Sequence, residues 1–243
     1  MPVHYTLTQF TEFLSGIDLA FYRSQYSHIK IVEMDLPKQI QALDTIYSSY
    51  WNYEDGSPQP LDFYNYYNYY CTSCLNDISI FWRKSGFGMG CSCFPRGLVA
   101  RIYRTWASLI TQVHAGYVAE SVFGAGKVHM STELDHKNID ILVTRPGQSD
   151  LKIQIKKVTH RPEIARRQEH EADEDGIIPI WYVTPKSEDY WNNPYYVSSS
   201  RRGELRDSLR DFVRFNPNGT LDMLPNGFVV FTPEVFMQLV RTA

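Results

Sequence analysis

Two segments of the chain carry the pattern of a β-hairpin: Asp140-Ile141-Leu142-Val143 and Leu151-Lys152-Ile153-Gln154-Ile155-Lys156-Lys157. The first is an apolar run that opens on a carboxylate, and the turn between the two contains proline and glycine. The second alternates apolar and polar residues, so Gln154 and Lys156 lie on the same face of one strand. An antiparallel return of the chain brings that face beside Asp140. The sequence therefore predicts a carboxylate, an amide carbonyl and a lysine that converge at one edge of a sheet.

These side chains suit the hydrolysis of a phosphodiester. Mg²⁺ prefers oxygen ligands, and one or two carboxylates plus a substrate phosphate are enough to hold it. Asp140 is the first candidate for a direct metal ligand, and Asp135, which precedes the strand, is a second ligand or acts through water. Gln154 offers a neutral carbonyl. Lys156 would orient or help deprotonate the attacking water and stabilise the charge on the phosphate.

The spacing of these residues resembles the catalytic pattern of the PD-(D/E)XK nucleases, with glutamine in the usual acidic position. The pattern is loose, because an aspartate at the start of a strand and a lysine at a sheet edge are also ordinary surface residues. Basic residues near the hairpin add support, since seven lysines and arginines lie between positions 145 and 167 against two acidic residues. A cluster of this sign suits contacts with DNA phosphates, for which Arg166 and Arg167 are candidates.

Length and composition allow a soluble globular protein. The chain has 243 residues, 43% of them hydrophobic, which can bury a sizeable core as one large domain or two small ones. No apolar run approaches the roughly 20 residues that span a bilayer, and the N-terminus lacks the layout of a signal peptide. A cytoplasmic location is therefore expected. The formal charge of −3 does not exclude DNA binding, because nucleases concentrate basic residues in a cleft.

Hydrophobic periodicity changes along the chain. Helical spacing is present over 10–21, 36–51 and, most clearly, 98–117. Beyond about residue 120 we expect strands alternating with helices. The strands are predicted at 139–144, 151–158, 177–184 and 227–231, and the helices at 160–175, 200–214 and 233–241. The predicted fold class is α/β, with a mixed sheet in a PD-(D/E)XK restriction-endonuclease-like core flanked by helices. That core would occupy 96–243, with a helical N-terminal region, 1–95, packed on it as one structural unit.

An aromatic-rich segment over 63–70 has two interpretations. Its rings could stack on splayed bases. Phe63, Tyr66, Tyr67 and Tyr70 fall on one helical face, however, which favours packing in the core or at an interface.

Four cysteines, Cys71, Cys74, Cys91 and Cys93, also leave two interpretations open. Two close pairs of thiolates could form a tetrahedral zinc site. The second pair is spaced more tightly than a usual zinc knuckle, which favours reduced, buried thiols. A zinc-stabilised nucleic-acid-binding module without catalytic activity is therefore the alternative from another functional class.

Longer blocks of sequence carry a more specific resemblance. They include Val32-Glu33-Met34-Asp35-Leu36-Pro37, Ile153-Gln154-Ile155-Lys156-Lys157 and Asn226-Gly227-Phe228-Val229-Val230-Phe231, with shorter blocks at 50–51, 90–92, 97–105, 111–114, 133–135 and 139–140. These blocks keep their order over most of the length of the chain. On these residues the chain resembles the TaqI restriction endonuclease family.

This resemblance implies a homodimeric, Mg²⁺-dependent type II restriction endonuclease. It would cut double-stranded DNA at TCGA, or at a CG-centred extension of it, and leave 5′-phosphates and two-base 5′ overhangs. A cognate DNA methyltransferase would protect the host DNA without being a bound partner. A repair or junction nuclease with the same core, which reads DNA shape and not sequence, is the closest alternative.

The resemblance also assigns individual residues. Asp135, Asp140 and Lys156 match the catalytic positions of the family, and Gln154 matches its unusual glutamine. The family approaches DNA at the positions of Lys157, Thr159 and Arg161. The segment 163–200 departs from the family pattern, so the length of the DNA recognition site could be particular to this chain. The family pattern does not contain all four cysteines, so any zinc role would also be particular to this chain.

Overall fold

The structure is a computed structural model, and it describes residues 5–29, 32, 40, 43–52, 59–85, 92–157, 175–182, 184 and 218–242. The helices that precede the sheet are α1 (Leu7–Gly16), α2 (Leu19–Tyr26), α3 (Leu43–Tyr50), α4 (Phe63–Ser73), α5 (Leu75–Ser85) and α6 (Cys93–Phe123). They are followed by β1 (Val128–His129), α7 (Thr132–Asp135), β2 (Ile141–Val143), β3 (Leu151–Lys157), β4 (Ile177–Tyr182), β5 (Leu221–Met223), β6 (Val229–Phe231) and α8 (Pro233–Thr242).

The main sheet has four strands in the order β1-β2-β3-β4. The first two pairings are antiparallel and the pairing of β3 with β4 is parallel, so the predicted α/β class with a mixed sheet is confirmed. The predicted hairpin is β2–β3, in which Ile141 lies opposite Ile153. Strands β5 and β6 form a separate antiparallel pair.

Helix α6 is the centre of the molecule. It contacts α1, α2, α3 and α4 as well as β1, β6 and α8, and buried residues lie on all sides of it. The helix extends beyond the predicted 98–117 because Pro95 is tolerated in its first turn. It ends at Gly124, whose backbone at φ 101° lies in the range that favours glycine. A single long helix thus joins the helical region to the sheet.

Close packing against α6 depends on another glycine. A Cβ atom at Gly116 would collide with the Sδ atom of Met130 and would lie 3.0 Å from Cζ3 of Trp51. Trp51 follows α3, and Met130 follows β1. Glycine at this position therefore allows both the helical region and the start of the sheet to approach α6.

The aromatic helix packs in the core. Phe63, Tyr66 and Tyr70 are fully buried on one face of α4, which confirms the packing interpretation of this segment over base stacking. Tyr67 is half-buried at the margin of the same face. The hydroxyl of Tyr70 donates a hydrogen bond to the carbonyl oxygen of Ile40 at 2.8 Å, which satisfies its polar end.

Several elements differ from the sequence prediction. The periodic run 10–21 is two helices, because Asp18 accepts a hydrogen bond from the N–H of Phe21 and begins a new helix. Helix α5 and the short strands β1 and β5 were not predicted. The predicted helix at 233–241 is confirmed as α8, whereas those at 160–175 and 200–214 fall almost entirely outside the described residues. No helix in the described ranges is long and apolar enough to cross a membrane.

Candidate active site

The β2–β3 hairpin fixes the position of the Asp140 carboxylate. Asp140 directly precedes β2, and its N–H donates a hydrogen bond to the carbonyl oxygen of Ile153 at 2.9 Å. Its Oδ2 accepts a hydrogen bond from the N–H of Ile155 at 2.6 Å. The residue is only 4% exposed. A buried carboxylate held by a backbone amide of the adjacent strand is rigid, because the hairpin supplies both ends of the contact.

A second carboxylate approaches Asp140 from the short helix α7. Asp135 is the last residue of this helix and is half-buried. The turn that follows uses Asn138 with φ 59°, a left-handed conformation that asparagine tolerates. This turn carries the chain back to β2, so that the side chains of Asp135 and Asp140 share a hydrogen bond. The sequence prediction that the two residues act together is therefore matched by direct contact between their side chains.

Burial controls the protonation of this pair. It raises the pKa of Asp140 to about 8, an effect that the hydrogen bond from Ile155 reduces and the charge of Asp135 increases. Burial also raises the pKa of Asp135. Two adjacent buried carboxylates cannot both ionise cheaply, so without a counter-ion they hold a proton near neutral pH.

Gln154 and Lys156 lie where the alternation predicted, on the face opposite to the buried Ile153 and Ile155. Both side chains are half-buried. The charge of Lys156 lowers the pKa of Asp140, although less than burial raises it. The structure therefore brings together all four predicted catalytic residues along β3 and the segment that leads into β2.

Trp181 is a member of this site that sequence reasoning did not assign. It pairs with Lys156 in the parallel register of β3 and β4. The Nζ atom of Lys156 lies 5.4 Å from the centre of the Trp181 ring, a distance typical of a cation–π contact. The contact between Lys156 and Trp181 depends on the register of two strands that are joined by a long connection, so the local sequence does not predict it.

Tyr47 of α3 is a second residue that the sequence did not distinguish from a core residue. It is 4% exposed, and the charges of Asp135 and Asp140 add to the effect of burial in raising the pKa of its hydroxyl. Within the described part of the chain, this buried hydroxyl has no hydrogen-bond partner. Its helical spacing with Ile46 and Leu43 predicts only core packing, so no sequence signal would have identified it.

A cavity of about 630 Å³ opens between α3 and α7 next to Tyr47. It is lined by polar residues from both helices, among them Asp44, Ser48, Ser131, Thr132 and Glu133. The hydroxyl of Thr132 donates a hydrogen bond to the Asp44 carboxylate and holds the two helices together. The cavity therefore lies on the side of α7 that faces α3, and the carboxylate of Glu133 belongs to its lining.

The oxygen atoms of the site fit a hard divalent cation. Asp135, Asp140 and Gln154 offer two carboxylates and one amide carbonyl, which are ligands that Mg²⁺ accepts. The described residues contain no cluster of three or more His, Cys, Asp or Glu side chains that could hold a metal. A site with two carboxylates would therefore leave further positions to water and substrate.

Lys157 lies on the other face of β3 from Lys156. It lines a cavity of about 300 Å³ together with Arg23 and Arg104. Much of the residue is exposed, but protein atoms surround its ammonium group. This burial, together with the charge of Arg23, lowers its pKa to about 8. The other predicted DNA-contacting residues, Thr159, Arg161, Arg166 and Arg167, lie outside the described residues.

The cysteines provide no metal site in the described ranges. Cys71 and Cys74 are half-buried free thiols, and Cys93 is exposed. Burial raises the pKa of both Cys71 and Cys74, which disfavours the thiolate that zinc requires. Cys91 lies outside the described residues.

Comparison with known proteins identifies the family. A model of the TaqI restriction endonuclease matches residues 7–242. The chain belongs to the TaqI restriction endonuclease family. It is 30% identical over 241 residues to the type II restriction enzyme TaqI of Thermus aquaticus. The matched region covers 96% of this chain and 88% of that protein.

A second relative, a type II restriction enzyme of Thermus thermophilus, is 30% identical over 231 residues. The matched region covers 93% of this chain and 83% of that protein. No solved structure matches the chain significantly. The expected membership of the TaqI family is confirmed, and the chain is a type II restriction endonuclease and not a non-catalytic binding module.

Proposed function

We propose that this restriction endonuclease uses Mg²⁺ to hydrolyse double-stranded DNA at TCGA, or at a CG-centred extension of it. The products would carry 5′-phosphates and two-base 5′ overhangs. The observation that carries the proposal is the buried carboxylate of Asp140, which the Ile155 amide holds. The half-buried Asp135 lies next to it, and Gln154 and Lys156 share one face of the adjacent strand. Carboxylates, an amide and a lysine on one sheet face are the groups that a PD-(D/E)XK nuclease requires.

Asp140 and Asp135 would hold the metal, with the Gln154 carbonyl as a further ligand or as the acceptor that orients a water. When bound, Mg²⁺ would neutralise charge on the phosphate and lower the pKa of water. The amide of Ile155 keeps Asp140 in place during the reaction. Because Gln154 is neutral, the site has one negative charge fewer than the usual acidic version, which limits repulsion of the DNA phosphate.

Lys156 would act on the other side of the reacting phosphate. Its ammonium group can orient the attacking water and stabilise the negative charge that increases in the transition state. Contact with Trp181 restricts the positions of the long side chain. Less conformational entropy is then lost when Lys156 engages the substrate.

The assembly we propose is a homodimer, since a two-fold protein reads a palindrome with two equivalent sites. Lys157, Thr159, Arg161, Arg166 and Arg167 would contribute contacts to DNA. Residues 96–243 would form the catalytic core, with 1–95 packed on it as a helical region, in a cytoplasmic protein. The cognate methyltransferase would act on the same DNA sequence without binding this enzyme.

Cleavage of unmethylated phage DNA tests the proposal directly. Purified protein is incubated with the DNA in Mg²⁺ or in excess chelator, and the fragment ends are sequenced. We expect every end to share one CG-centred palindrome with a two-base 5′ overhang, and no cleavage in chelator. Ends without a common sequence would contradict the proposed specificity and favour a shape-selective nuclease with the same core.

A further inference from the structure

The cavity at the end of β3 lies on the face of the strand that is turned away from Gln154 and Lys156. It has a volume of about 300 Å³, and its walls come from α2, α6, the end of β3 and the start of β6. Side chains alternate along a strand, so Lys157 is on the same face as the buried Ile153 and Ile155. Two successive lysines therefore serve opposite faces of the sheet, and only Lys157 lines this cavity.

Three basic side chains, Arg23, Arg104 and Lys157, line the cavity, which we call the basic recess. The guanidinium group of Arg104 is fixed by hydrogen bonds that it donates to the carbonyl oxygens of Ile29 and Val32, at 2.7 and 3.0 Å. No residue among the described ones that line the recess carries a carboxylate. Three cations from three separate elements thus face one space, an arrangement that attracts an anion.

Lys157 and Arg23 are close enough to repel each other. Burial of the Lys157 ammonium group, and then the charge of Arg23, lower its pKa. Among the residues that the structure describes, this ammonium group has neither a hydrogen-bond nor an ion-pair partner. A buried charge without a partner destabilises the folded protein, and an anion between the two cations would relieve both the burial and the repulsion.

The remaining wall of the basic recess is largely apolar. Leu19, Ala107, Phe228 and the ring of Tyr103 contribute to it. A volume of about 300 Å³ and apolar walls with a few charged groups are typical of sites for small ligands. The recess therefore has room for an anionic group together with a small organic part.

We infer that the basic recess binds a phosphate ester, at a site separate from the nuclease centre. Lys157 and Arg23 would neutralise the phosphate, to which both can donate charge-assisted hydrogen bonds. The apolar wall would contact the organic part of the ligand. A backbone phosphate of bound DNA has the same chemistry as a small free ester, so the experiment has to separate these two sources. The catalytic assignment proposed above is not needed for this site.

Calorimetric titration of the protein with thymidine 5′-monophosphate in excess chelator tests the site. Inorganic phosphate and thymidine are titrated beside it, to separate the phosphate from the organic part. The two successive lysines provide matched variants: Lys157→Met removes a charge from the recess, and Lys156→Met removes one from the opposite face of β3. Ala107→Leu fills the recess without a change of charge. The melting temperature shows whether each variant is folded.

We expect one molecule of the monophosphate to bind per chain, and to bind at least about tenfold more weakly to Lys157→Met and to Ala107→Leu. Lys156→Met should bind it like the wild type. Thymidine, which has no phosphate, should not bind detectably. A duplex containing TCGA that displaces the monophosphate would identify a backbone phosphate of DNA as the ligand, whereas simultaneous binding of both would identify a free ester.

Three results would overturn the inference. The first is a folded wild-type protein that binds neither the monophosphate nor inorganic phosphate. The second is a loss of binding in Lys156→Met but not in Lys157→Met, which would place the ligand in the nuclease centre. The third is thymidine that binds as tightly as its monophosphate, which would remove the role of the cations. A failure to cleave at TCGA would contradict the proposed function and leave the phosphate site untouched.

Discussion

The ammonium nitrogen of Lys156 lies 5.4 Å from the centre of the Trp181 ring, and the two residues are partners in the parallel pairing of β3 and β4. A lysine that is part of the proposed catalytic group is therefore in contact with an aromatic residue of the neighbouring strand.

Replacement of Trp181 by leucine should slow cleavage by about 2- to 30-fold, the range that corresponds to a cation–π contact of about 0.5–2 kcal/mol. Lys156→Ala should remove detectable cleavage in the same assay. Trp82→Leu is the matched control, because Trp82 stacks on Phe94 in the helical region. Single-turnover cleavage is the measurement, and equal rates for both tryptophan variants would mean that Trp181 does not assist Lys156.

Substitution of Asp140 by asparagine should lower the cleavage rate by at least about 1,000-fold, since a ligand charge is lost at the site where transition-state charge is stabilised. DNA binding should persist in a gel-shift assay, because the phosphate contacts remain. Asp150→Asn is a suitable control: this aspartate lies in the exposed turn of the same hairpin and accepts a hydrogen bond from the Arg145 amide. A fully active Asp140→Asn enzyme would exclude Asp140 from catalysis.

Stability of the metal-free protein should depend on pH through Asp140. The unfolded chain releases this proton near the ordinary pKa of 3.8, whereas the folded protein keeps it to about pH 8. Between these two pH values the folded protein therefore keeps a proton that the unfolded chain has lost. The stability that this proton contributes is largest below pH 4 and is lost as the pH rises to 8. Over this range the free energy of unfolding falls by up to about 1.4 kcal/mol per pH unit.

Urea denaturation at pH 6, 7 and 8 in the presence of chelator measures this trend. Asp140→Asn should show a flatter profile than the wild type, and parallel profiles would argue against a protonated Asp140. Because a metal ligand must lose its proton, Mg²⁺ should raise the melting temperature of the wild type more at pH 8 than at pH 6.

Gln154→Glu should tighten divalent-cation binding and lower the Mg²⁺ concentration needed for half-maximal cleavage by several-fold, because it supplies the charge that the usual nuclease pattern contains. Gln154→Leu, which has no side-chain oxygen, should require more Mg²⁺ than the wild type. A Mg²⁺ titration of the cleavage rate separates these effects. Identical titration curves for the three proteins would show that Gln154 is remote from the metal.

Alternation and local turns explain why much of the site could be predicted from sequence. Gln154 and Lys156 share a face because a strand has a period of two, and the hairpin returns them to Asp140. Trp181 and Tyr47 could not be found in this way. The first depends on a parallel register across a long connection, and the second on the packing of α3 against α7. Both are tertiary relationships without a local signal.

Helix α6 has a practical consequence for anyone who wishes to divide this enzyme. Its sides are covered by the N-terminal helices and by β1, β6 and α8 at the same time. A fragment that begins near residue 96 would keep the helix but leave one flank, including Trp106 and Tyr103, open to water. We therefore expect such a fragment to aggregate when expressed alone and to recover solubility when residues 1–95 are supplied as a separate polypeptide.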